Sequence, residues 1–217
     1  MSRAVRTAGD DLASALIVFA VFAWELVVFL LLDPLLGSGP RAGLQHQLIT
    51  AAGWGMGGVL LARTAVRSSV IADRSARDPA ISSPTVRVGI VVAAAVLAIA
   101  VRAFAFGEVK IAGELAGNGA DPLATVVLLL YYLTEAFLIV LLILFAQRAG
   151  VAWFGHPALP WGGVLLALTW GVMHLFLQGL SGGLYAIIAS VLYGLIVVHG
   201  PRRIPAVFAI VALAFIV

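Results

Sequence analysis

The chain has 217 residues, 63% of them hydrophobic and 11% charged, with a mean hydropathy of +1.12 and a net charge of +3. No soluble core needs that much apolar surface, and apolar runs of about 20 residues recur along the whole length, so an ordinary soluble domain is excluded and nucleic acid is not an expected partner. The absence of cysteine removes disulfides and thiolate metal sites.

In lipid every backbone polar group must be satisfied within the protein, which leaves helices or a closed barrel. The runs are continuous and do not alternate, so they read as helices. The first, LASALIVFAVFAWELVVFLLLD, is too long for a signal peptide and has no small-residue cleavage site; it reads as a retained span over 12–32. The second, 44–62, carries AAGWGMGG, whose Gly53 and Gly57 let a neighbouring helix come close. Further spans are expected at 86–106, 122–146, 161–178 and 182–199, with Trp153 and Trp161 as interfacial aromatics beside the fifth. GLSGG, 179–183, reads as the reversal between the last two of these. A shorter apolar segment, 204–217, falls short of a core of ~30 Å at ~1.5 Å per residue. The fold class is thus an all-α membrane protein, a bundle of about seven transmembrane helices in a single domain, 1–217.

Arginine placement gives the orientation. Arg3, Arg6, Arg63, Arg67, Arg74, Arg77, Arg87, Arg148, Arg202 and Arg203 fall on one side, while Arg41, Arg102 and Lys110 fall on the other. The expectation is a multi-pass protein of the plasma (inner) membrane with a cytoplasmic N-terminus, a cytoplasmic loop at 63–85 and an external loop at 107–121. Membrane lipid is its surrounding partner.

Four polar side chains lie well inside spans: Glu25, Glu135, His174 and Gln178. Such residues cost ~2.5–3.5 kcal/mol each on insertion scales, so each needs a partner or a wet cavity. Glu25, Glu135 and His174 each stand 13 residues into a span, a common depth of roughly 20 Å. A carboxylate and an imidazole at one depth could work as a pair, Glu135 activating water as general base and His174 donating to an oxyanion. A purely structural hydrogen bond between them would satisfy both groups equally. No cofactor is indicated, and two candidate ligands without cysteine make a poor zinc site. His46, His156 and His199 stand at span ends or in loops.

From about residue 120 onward the chain resembles the CPBP family, the CAAX prenyl-protease and bacteriocin-processing membrane proteins. The stretches that carry the resemblance are YYLTEAFLIVLLILFAQRAG, LLALTWGVMHLF and IASVLYGLIVVHGPRRIPAVFAIVALAFIV. The family pattern is E-E-x-x-x-R on one helix, then F-x-x-x-H, then a late H-x-x-x-N. Carried over, its second glutamate falls on Glu135 and its first on Thr134, and its arginine falls on Ile139. Trp170 takes the place of its phenylalanine, His174 of its histidine, and Ala209 and Leu213 of the late histidine and asparagine. The resemblance implies catalytic roles for Glu135 and His174 and places Thr134 and Trp170 as binding positions beside them; Gln178 and, on the first span, Glu25 join them as binding candidates because they are polar inside apolar runs. It implies either an intramembrane endopeptidase using a glutamate-activated water or a relative that has lost peptidase activity. Such a relative would bind a membrane protein partner, a prenylated or other membrane peptide, or a lipid-linked ligand. A small transporter, or a subunit of a larger membrane complex, is the reading from a different class. The G-x-S-G of QGLSGG also occurs around rhomboid nucleophiles, but the only histidine after Ser181 is His199, roughly 27 Å further along a helix.

Overall fold

The computed structural model describes residues 7–37, 39–67, 83–117 and 121–217. Arg3, Arg6, Arg74 and Arg77, which carry part of the charge asymmetry, lie outside the described residues. Among the described residues all regular structure is helical.

Helix α1, Ala8–Leu36, opens on a capping box in which Thr7 and Asp10 satisfy each other's backbone N–H groups. Its last turns widen into a π-helical segment at Val28–Leu32. Pro34 follows at once; it has no N–H to donate and its ring crowds the carbonyl four residues back. Helix α2, Pro40–Arg67, returns alongside. A Cβ on Gly57 would stand 2.7 Å from the Val21 side chain, so glycine here sets how closely α1 and α2 approach. Two indoles fasten the pair: Trp24 Nε1 donates to the Ile49 carbonyl at 3.1 Å and Trp54 Nε1 to that of Phe22 at 3.3 Å.

Helix α3, Pro84–Phe106, starts at the Ser83 cap and stops at Gly107, whose φ of +79° suits the left-handed helix end. A short helix α4, Lys110–Gly117, precedes α5, Pro122–Phe154. From Leu138 to Ala146 every residue of α5 is buried, so this segment is the axis around which the other helices pack.

The apolar run Trp161–His199 folds back on itself at Gly179, where φ is +69°. We label its arms α6, residues 161–178, and α7, residues 180–199. A Cβ on Gly163 would stand 2.9 Å from the Gly194 Cα, and one on Gly171 3.0 Å from the Ile187 Cα, so the arms are antiparallel and nearly in backbone contact. Ser181 sits at the turn and His199 at the far end of α7, which rules out the rhomboid arrangement. Helix α8, Ile204–Ile216, lays Val207, Val211 and Phe215 into the core.

Three ties fix which helix ends lie level. Arg148 Nε bonds Asp11 at 2.8 Å, and Asp11 is itself buried. Arg87 donates to the carbonyls of His199 and Gly200 at 3.2 and 3.0 Å. At the opposite end, Lys110 N–H donates to the Val217 carbonyl at 2.9 Å. Among the described residues four stretches are long and apolar enough to cross a membrane: Ala8–Leu36, Pro84–Phe106, Pro122–Phe154 and Trp161–His199.

Candidate functional site

Polar side chains accumulate in one half of the bundle, toward the ends marked by Gly37, Gly107 and Gly179. Their helices splay around a cavity of about 510 Å³. Its walls come from α1 (Glu25), α2 (His46), α3 (Arg102), α4 (Lys110 and Glu114), α5 (Tyr131, Tyr132 and Glu135) and α6 (Trp170, His174 and Gln178). Tyr185 of α7 and Phe215 of α8 complete it.

Glu135 lies at the buried floor and is 6% exposed. Its Oε1 accepts from Trp170 Nε1 at 3.1 Å. His174 stands one turn beyond Trp170; its Nδ1 donates to the Trp170 carbonyl at 2.8 Å, and the two rings lie 4.2 Å apart between centroids. Among the described residues no hydrogen bond joins Glu135 directly to His174. The expected pair is instead two separate attachments to Trp170, through its indole and through its carbonyl. This changes what His174 can do. A neutral imidazole whose Nδ1–H serves a backbone carbonyl presents a lone pair, not a donor, at Nε2. The ring is therefore set to accept a hydrogen bond from the cavity, and the donor role assigned to it on sequence needs the imidazolium.

Trp170 sits in a second π-helical segment, Ala167–Gly171. Widened turns of this kind are frequent at functional sites. Both π segments of this chain border the same cavity, one carrying Trp170 and the other following Glu25.

Glu25 accepts a short hydrogen bond from the Tyr131 hydroxyl. His46 Nε2 stands 3.7 Å from Glu25 Oε1, while His46 Nδ1 donates to Asp33 at 2.9 Å. His46 thus bridges two carboxylates of α1, and its role as an ordinary span-end histidine is corrected. The signal available in sequence was only that α1 and α2 are joined by a short turn, which brings Asp33 and His46 level.

Across the cavity stand two cations that sequence reading treated solely as markers of orientation. The Arg102 guanidinium carbon lies 3.7 Å from the Phe106 ring centroid and 5.7 Å from that of Tyr185. Lys110 Nζ lies 3.7 Å from the Tyr132 centroid and 3.6 Å from that of Phe215. Burial pushes the Lys110 ammonium below the usual lysine range, with the carboxylate of Glu135 acting in the opposite sense. Glu114 accepts from the Tyr132 hydroxyl at 2.7 Å.

Of the remaining positions, Gln178 lines the cavity but Thr134 does not. The Thr134 hydroxyl donates to the carbonyls of Leu130 and Tyr131, at 3.1 and 2.8 Å, and is spent within its own helix. Ile139 is fully buried in the α5 core. Ala209 and Leu213 face away from the cavity on the outer side of α8, Leu213 being 63% exposed. A donor placed at either position would point out of the bundle. Among the described residues no three of histidine, cysteine, aspartate and glutamate group as metal ligands.

A second, smaller hollow of about 40 Å³ adjoins the cavity between α1 and α6. It shares Glu25, Leu26, Trp170, His174 and Leu177 with the polar cavity and adds Phe19, Phe22 and Met173. A small apolar hollow therefore borders the polar chamber across shared wall residues.

Compared with protein-family models, with curated proteins and with solved structures, the chain gives no match.

Proposed function

We propose that this is a multi-pass membrane protein that binds the polar end of an amphipathic membrane molecule, a lipid or a lipid-linked ligand, in the cavity around Glu135, and does not cleave peptides. On this reading α1, α2, α3, α5, α6 and α7 cross the membrane, α8 enters it from the side of residues 200–203, and the N-terminus is cytoplasmic. The cavity then opens in the external half of the plasma membrane.

One observation carries the reading: a polar chamber with walls from all eight helices is bordered, across five shared lining residues, by an apolar hollow between α1 and α6. An amphipathic guest needs both environments, and a wet chamber inside a membrane bundle is costly unless it serves one. The chain is a divergent relative of the CPBP frame in this proposal, keeping Glu135, Trp170 and His174 in successive helices around one chamber. Peptidase chemistry asks for more. It needs a water next to the carboxylate and preorganised donors for the oxyanion. Glu135 already serves the Trp170 indole, the Nδ1 of His174 is taken by the Trp170 carbonyl, and the inward residues of α8 are Val207, Val211 and Phe215, none a donor.

The test is native mass spectrometry of the protein purified in mild detergent. The expected result is one retained amphipathic molecule per chain, weakened in Gln178→Trp, a variant that narrows the chamber while the melting temperature holds. No retained molecule in any of several detergents, or equal retention by Gln178→Trp, would remove the binding reading. Cleavage of a prenylated or membrane peptide by the purified protein, abolished in Glu135→Ala, would replace it with the peptidase.

A further inference from the structure

The two cations of the chamber have no protein acceptor. Arg102 carries five N–H donors and Lys110 three. Among the described residues neither side chain makes a hydrogen bond or an ion pair; both are held by aromatic faces alone. The Arg102 Nε is fully buried and unsatisfied. Leaving such a donor buried and unmade is expensive, more so for a charged group. The nearby carboxylates act on Lys110 through space, but none is hydrogen-bonded to either cation. Glu114 takes the Tyr132 hydroxyl, Glu25 takes that of Tyr131, and Glu135 takes the Trp170 indole.

Phe106 and Tyr185 flank the guanidinium, Tyr132 and Phe215 flank the ammonium, and all six side chains line the one chamber. A guanidinium and an ammonium sharing one chamber match a tetrahedral oxyanion, the guanidinium by its fork and the ammonium as a point charge. The apolar hollow that borders the chamber between α1 and α6 is the apolar surface an attached chain would meet there.

We propose that Arg102 and Lys110 are the anchor for the phosphate of a membrane lipid, whose head group occupies the chamber and whose chain meets the apolar hollow between α1 and α6. The proposal rests on the reading of the chamber as a binding site and adds the charge class of its guest. Phosphate chemistry could also come from the free ion, but the hollow favours a guest with a chain.

The experiment compares three probes on the purified, delipidated protein by native mass spectrometry and thermal shift: dioctanoyl phosphatidic acid, dioctanoylglycerol, and inorganic phosphate. Phosphatidic acid should bind at least about tenfold tighter than the glycerol lipid, which differs only in lacking the phosphate; tenfold corresponds to ~1.4 kcal/mol, within the worth of one charged hydrogen bond. Arg102→Gln and Lys110→Gln should each shrink that preference, and Arg41→Gln, on an exposed residue outside the chamber, should leave it intact. Equal binding of the two lipids by the unaltered protein would overturn the phosphate anchor while the binding site stands, and this comparison needs no variant to fold. Binding of neither lipid would overturn both readings. Inorganic phosphate binding as tightly as phosphatidic acid would show a free-ion site and overturn the lipid assignment.

Discussion

The two halves of the bundle use the same helices for opposite ends. Toward His199 and Gly155 the helices are dry and close: Leu138–Ala146 of α5 is buried throughout, and Gly163 and Gly194 bring α6 and α7 almost to backbone contact. Toward Gly179 and Gly107 the same helices part around a chamber lined with ionisable groups. In lipid the hydrophobic effect gives no advantage to helix association, so the dry half must hold by packing, small residues and a few polar ties. That tight half is what allows the other half to stay open. The cost of an open polar chamber is met by stability made elsewhere in the same helices, and mutations in the two halves should therefore differ in kind.

The largest effect is expected at Gly163. A Cβ there would fall 2.7 Å from the Ser190 carbonyl oxygen and 2.9 Å from the Gly194 Cα, backbone atoms that cannot rotate away. Gly163→Val should cost about 3 kcal/mol by overpacking and leave little monodisperse protein on size-exclusion chromatography. Normal folding of this variant would show that the α6–α7 hairpin is not packed as described. Asp11→Ala comes next. It removes the carboxylate that pairs with Arg148 Nε at the dry end, one of the contacts of that arginine, and breaking a buried ion pair costs ~3 kcal/mol; a large drop in melting temperature should follow, and Arg148→Met with Asp11→Leu should recover part of it. A double variant no better than the single would argue against the pairing.

The open half should tolerate more. Glu135→Leu leaves the Trp170 indole N–H without its acceptor, at about 1–3 kcal/mol. Glu135→Gln keeps an oxygen for that bond and should lose well under half as much. Equal losses in a thermal unfolding series would mean that charge, not the Trp170 hydrogen bond, is what Glu135 supplies. The smallest effect belongs to Thr134→Ala, since that hydroxyl only doubles bonds already present in its helix. A shift beyond about 0.5 kcal/mol would give Thr134 a role that its position does not.

Helix reversals were the most legible features of the sequence. GLSGG marked the turn at Gly179, because a tight reversal needs a residue at positive φ and few others accept it. Gly57 was legible for the same local reason, a missing side chain facing a neighbour. Site residues were half legible. Glu25, Glu135, His174 and Gln178 stood out because each is polar in an apolar run, and all four line the one chamber. Arg102, Lys110 and His46 were passed over because they lie near the ends of apolar runs, where a charge is ordinary and signals only orientation. Their inward direction depends on how α3, α4 and α2 are rotated. Thr134 is the opposite case, a motif position that does not line the chamber, and the family register puts Ala209 and Leu213 on the outer face of α8. A motif carries spacing along a helix, but a residue counts toward a site only if its helix turns that face inward.

What the sequence alone determined is the helical membrane architecture, since unbroken apolar runs can satisfy their backbone in lipid only as helices, and the short set of polar side chains that lipid could not accept. What the tertiary structure decided is who partners whom. Trp170 meets Glu135 across 35 positions, Tyr131 meets Glu25 across 106, and Lys110 comes to rest between Tyr132 and Phe215. Such pairings depend on the rotation of each helix about its own axis. A helix apolar on every face, as α5 is, carries almost no record of that rotation in its sequence, and it is settled only when the neighbouring helices close around it.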